Sequence, residues 1–92
     1  MENLIVKIKN VKRSVSSYEE ASALFQAYCI VNDLGASKIC KVLLYNSLNI
    51  AIACVSYNGR VWKGTELTNN GIEIPIDGQT TNRFLNHFLN TL

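Results

Sequence analysis

A chain of 92 residues, 48% hydrophobic and 17% charged, has the size and composition of one small globular domain. Its formal charge of +2 excludes an acidic mimic of DNA and offers a nucleic-acid binder only a weak electrostatic footprint. No apolar run approaches the ~20 residues of a membrane-spanning helix, and the N-terminus lacks the basic region of a secretory signal, so no membrane partner and a bacterial cytoplasm are expected.

Leu4, Val6 and Ile8 alternate with Ile5, Lys7 and Lys9, the pattern of a strand with one buried face. Lys12-Arg13-Ser14 is read as its end. Ser17 and Glu20 then form a capping box, in which each side chain satisfies a backbone N–H left free at a helix start. Ala21, Leu24, Phe25, Tyr28 and Val31 or Asn32 follow at helical spacing. The predicted helix runs from about Tyr18 to about Asp33, with Gly35 as its left-handed terminator.

Ile39 to Tyr45 and Leu48 to Tyr57 read as two strands joined at Asn46-Ser47, apolar on both faces and therefore central. The chain returns as Arg60 to Lys63, followed by a polar stretch from Gly64 to Gly71. Ile72, Ile74 and Ile76 alternate again, but Pro75 lacks a ladder donor, so this segment belongs at an edge. Asp77-Gly78 turns, and Thr80 or Thr81 caps a last helix with a stripe of Phe84, Leu85, Phe88, Leu89 and Leu92. The order β-α-β-β-β-(β)-α predicts an α+β fold: a mostly antiparallel sheet of four to five strands with two helices on one face.

Asn58-Gly59 between two β-type runs is the strongest short-range hairpin signal, because a two-residue type I′ turn needs φ > 0 at both central positions. That turn would set Tyr57 against Arg60 and Val55 against Trp62. One face would carry Ala51, Ala53, Val55, Tyr57, Arg60 and Trp62. The other would carry Ile50, Ile52, Cys54, Ser56, Val61 and Lys63, and the isoleucines make it the expected core. Aromatics beside an arginine are the composition of binding hot spots, so Tyr57, Asn58, Arg60, Trp62 and Lys63 are the candidate partner-binding residues. In the competing arrangement Trp62 and Val55 pack under a helix and Arg60 lies over Tyr57 as a cation–π pair.

Catalytic, metal and cofactor chemistry finds little purchase. His87 is the one histidine, on the border of an apolar stripe, and Cys29, Cys40 and Cys54 lack ligand spacing. All three cysteines sit in apolar runs and read as buried free thiols. Glu19 and Glu20 open a helix, where carboxylates suit the macrodipole, and Glu66 and Glu73 border a polar loop. No glycine-rich loop precedes a helix. A non-enzymatic chain without cofactors is expected.

Lys7, Lys9, Lys12 and Arg13 could contact nucleic acid, with Arg60 and Lys63 extending the stripe if the first strand neighbours the last hairpin strand. A homodimer through an exposed sheet face is a third arrangement, against a monomer.

Glu19-Glu20-Ala21-Ser22 opening a helix, Asp33-Leu34-Gly35-Ala36-Ser37 closing it, and Ser56-Tyr57-Asn58-Gly59-Arg60-Val61-Trp62 form a familiar order. It resembles small accessory proteins encoded by bacteriophages, prophages and plasmids, over roughly residues 3 to 63. The resemblance implies a mobile-element origin and a protein that binds a host protein or ribonucleoprotein complex. Anti-CRISPR inhibitors are a prominent class of that kind. Here the chain continues beyond the hairpin for about thirty residues, with an extra edge segment and helix.

Overall fold

The computed structural model describes residues 3–35, 37–39, 41–65 and 71–91. Cys40, Glu66, Leu92 and most of the polar stretch after Gly64 lie outside the described residues. Six strands, β1 (Leu4–Ile8), β2 (Val11–Val15), β3 (Lys41–Tyr45), β4 (Ala51–Ser56), β5 (Val61–Lys63) and β6 (Glu73–Ile74), accompany two helices, α1 (Tyr18–Val31) and α2 (Gly78–Thr91). The strands form one antiparallel sheet in the order β2-β1-β3-β4-β5-β6. The α+β fold is as expected, with one strand more than the sequence suggested.

The additional strand is β2, which contains the Lys12-Arg13-Ser14 that was read as a strand end. Lys9 takes φ 52 and reverses the chain with Asn10, so that Ile8 pairs with Val11 and Leu4 with Val15. The polar centre of β2 is what an edge strand needs to discourage pairing with other chains. β6 lies at the opposite edge, just before Pro75.

α1 is buried on nearly every side: Ala21, Ser22, Ala23, Leu24 and Phe25 are consecutive and all inaccessible. An α-helix turns about 100° per residue, so five buried neighbours require cover all round. The sheet supplies one side, where Ala21, Leu24, Phe25 and Cys29 meet Leu4, Val6, Ile8, Val15, Val42, Leu44, Ala53, Val55 and Val61. Helix α2 supplies the other, packing on α1 rather than on the strands. Ala23 and Ala27, buried outside the sheet-facing cluster and one turn apart, let α2 approach closely. Both helices therefore lie on one side of the sheet, stacked in two layers.

The termini of the helices differ from their predictions in instructive ways. Ser17 Oγ accepts from Glu20 N at 3.1 Å, but the Glu20 carboxylate reaches back to Ser16 N and Ser16 Oγ, both at 2.8 Å, one residue earlier than a capping box requires. At the other end Asp33, at φ 53, occupies the left-handed position assigned to Gly35. Leu34 N donates to Cys29 O and Asp33 N to Ile30 O, the paired bonds of a Schellman closure. For α2 the cap is Asp77, whose Oδ2 accepts from Thr80 N at 3.1 Å. Of its stripe, Phe84, Leu85 and Phe88 are half-buried, whereas Leu89 is exposed.

Candidate functional site

The Asn-Gly reversal forms, but with a three-residue loop instead of two. Ser56 N donates to Arg60 O at 2.8 Å and Gly59 N to Ser56 O at 2.9 Å, with Gly59 at φ 90. This is the type I turn closed by a left-handed glycine, the next commonest hairpin connection. Every pairing beyond it moves by one: Val55 faces Val61, Cys54 faces Trp62 and Ala53 faces Lys63. A one-residue slip exchanges the faces of a strand, and it does so here. The Ala53-Val55-Val61 face, not the isoleucine face, packs on α1. A register shift beside Tyr45 leaves Ile52 without an opposing residue, while Ile50 is exposed.

The slip also divides the proposed trio. Trp62 is half-buried on the sheet face turned away from α1, and its Nε1 donates to Ser56 Oγ at 3.4 Å. Tyr57 sits in the loop, 41% exposed, beside Gln26, Cys29, Ile30, Asp33 and Leu34. Asn58 and Arg60 are exposed at the loop tip, and Arg60 Nε lies 4.0 Å from Glu73 Oε2. Lys63 is exposed in the row of Ala53. No helix covers Trp62, and Arg60 is engaged with Glu73 rather than lying over Tyr57.

α1 holds this loop firmly. Ser22, fully buried, donates its hydroxyl to Gly59 O, and Gln26 Nε2 donates to Ser22 Oγ at 3.2 Å. A Cβ on Gly59 would stand 2.5 Å from Gln26 Nε2. Gly59 is thus required twice, for its positive φ and for the closeness of the helix. At the tip, Asn58 Oδ1 accepts from Arg60 N at 3.2 Å and from the Ser56 hydroxyl. Tyr57 is consequently displayed on a braced loop.

Between loop and helix lies a cleft of about 460 Å³. The sequence reading missed it, although Ile30 and Val31 carry apolar residues further round α1 than the sheet and α2 can cover. Ile30 is 60% exposed. Burial pushes the Cys29 thiol up, partly offset by the charge of Lys9.

The basic residues do not form one stripe. Lys7 and Lys12 stand directly opposite each other on the helix-free face, and Lys7 Nζ lies 6.0 Å from the Tyr45 ring centroid. Arg13 pairs with Val6 on the helix side and borders a groove with Leu24 and Tyr28. Lys9 is in the reversal. β3 and β4 separate β1 from β5, a span of about 14 Å at the usual strand spacing, so Arg60 and Lys63 lie apart from Lys7. Lys41 Nζ donates to Thr65 O, which draws the chain after β5 back toward β3.

Cys29 is a buried free thiol, and Cys54 is buried as well. His87 is exposed and stacks edgewise on Phe88. Among the described residues no group of three His, Cys, Asp or Glu could hold a metal ion. None of the helices is long and apolar enough, among those residues, to cross a membrane. Neither a protein-family model, nor a curated protein, nor a solved structure matches this chain.

Proposed function

We propose that this chain is a non-enzymatic binding protein of a phage or other mobile element, which inhibits a host effector complex by docking its Tyr57–Arg60 loop. An RNA-guided CRISPR nuclease is the candidate target, because anti-CRISPR inhibitors are a prominent class among small proteins of such elements. The observation that carries the reading is the bracing of an exposed tyrosine and arginine by Ser22, Gln26 and Gly59. A rigid loop loses little freedom on binding, so more of its contact energy appears as affinity. Trp62, on the far face, supports the loop through Ser56 instead of joining the contact.

Co-purification with an effector complex, together with an inhibition assay, tests this. Tyr57→Ala and Arg60→Glu should each weaken binding by about 2 kcal/mol or more while the fold persists. Unchanged inhibition with both variants would remove the loop from the interface.

A nucleic-acid module is the second reading. In its favour, Lys7 opposes Lys12 beside the Tyr45 ring, and like charges held face to face welcome an anion. A mobility shift that collapses with salt and depends on both lysines supports it. Absence of binding at low salt eliminates it.

A further inference from the structure

We propose that the cleft beneath Tyr57 receives a basic side chain, above all an arginine, from the protein partner. This rests on the loop being the contact surface and names what its neighbouring cleft selects.

The lining is suited to a long cationic side chain. Ile30, Leu34 and Cys29 give an apolar surface for a methylene stem, and the thiol, with its raised pKa, stays neutral. The Tyr57 ring is exposed at the loop and can lie against a guanidinium plane. Gln26 spends its Nε2 on Ser22, which leaves the amide oxygen as an acceptor.

Asp33 is the one charged side chain among the described residues of the lining. Its carboxylate has no hydrogen-bond or ion-pair partner among the described residues, and its left-handed backbone fixes where the carboxylate starts. The cleft sits at the C-terminal end of α1, where the helix dipole is negative, and the last turn of α1 carries no basic residue. An acid at that end adds to the negative end of the dipole, so the site attracts a cation. Lys9 is close enough for its charge to act on Cys29. A bidentate guanidinium fits this carboxylate better than a point charge does.

The test is an amide-resonance titration of the whole ¹⁵N-labelled chain with the peptide acetyl-Gly-Arg-Gly-amide. Two comparison peptides carry norleucine or glutamate in place of arginine. Arginine should shift Gln26, Asp33, Leu34 and Tyr57 together, and norleucine and glutamate should not. Asp33→Asn should weaken the arginine peptide about tenfold, because Asn tolerates the left-handed backbone and removes only the charge. Equal shifts with norleucine, or shifts spread over Glu19, Glu20 and Asp77, would overturn the assignment, as would an oligonucleotide moving the same four residues.

In the inhibition assay the two readings separate. Loss with Tyr57→Ala but not with Asp33→Asn keeps the loop and removes the arginine. No loss with either removes both.

Discussion

The β3–β4 and β4–β5 hairpins close with the same device and differ in what surrounds it. The β3–β4 connection turns through Ser47, Leu48 and Asn49, with Asn49 at φ 63, and the β4–β5 connection through Tyr57, Asn58 and Gly59, with Gly59 at φ 90. In each an asparagine side chain ties the loop: Asn46 Oδ1 accepts from Leu48 N and Ile50 N, and Asn58 Oδ1 from Arg60 N. The first loop is exposed throughout its turn and tolerates a side chain at the left-handed position. The second presses against α1 and does not. The same hydrogen-bond pattern is therefore a simple reversal in one place and a docked, preorganised surface in the other.

Gly59→Ala should break the contrast most severely, costing about 2–3 kcal/mol from the positive φ and the clash with Gln26. Chemical denaturation measures it, and a cost below about 0.5 kcal/mol would mean the loop stands clear of α1. Ser22→Ala comes next, at about 1–2 kcal/mol, because Gly59 O loses its donor in a buried place. Restoring the hydroxyl with Thr at position 22 checks that the hydrogen bond, and not volume, is responsible.

At the solvated hairpin, Asn46→Ala should cost only about 0.5–1 kcal/mol, since water can serve the two freed amides. Asn49→Gly should be the mildest, within about 0.5 kcal/mol of wild type, because glycine eases the same backbone at some cost in unfolded-state entropy. If Asn49→Gly and Gly59→Ala prove equal in thermal denaturation, the contrast is gone.

A pH effect provides a reference remote from both turns. The Thr80 hydroxyl, then the Thr80 amide, hold the Asp77 carboxyl below the ordinary carboxylate range, against an opposing desolvation and with smaller help from Gln79 and Arg83. The unfolded chain binds that proton more tightly, so the cap's contribution is present above the ordinary range and lost as pH falls through the depressed value. Melting temperature against pH should lose part of its acid-side fall in Asp77→Asn, while Gly59→Ala shifts the whole curve downward.

Much of this architecture was legible in the sequence because periodicity reports burial directly. The repeat from Ala21 to Val31, the alternation around Leu4 to Ile8 and the stripe from Phe84 to Phe88 each found their element. What escaped were chain reversals made without glycine. Lys9 and Asp33 adopt positive φ, and neither residue type announces it strongly, so β2 was read as a strand end and the terminator of α1 was displaced to Gly35. Asn58-Gly59 was legible as a turn but not as a particular turn. A glycine after asparagine suits a two-residue loop and a three-residue loop equally, and the choice decides the face of every residue beyond it. Tyr57, Asn58 and Arg60 thus stayed together at the tip, while Trp62 went to the far side. The cleft escaped because it depends on how far α2 and the sheet wrap around α1, which no local pattern contains.

The placement of Tyr57 against α1, with Trp62 behind the sheet, underlies the loop, the cleft and the proposed contact alike. Nuclear Overhauser spectroscopy on the isolated chain reads it directly. The Gly59 α-protons should show cross-peaks to the Gln26 side chain, and the Tyr57 ring none to the Trp62 indole. Cross-peaks joining the two rings, with silence between Gly59 and Gln26, would contradict the account.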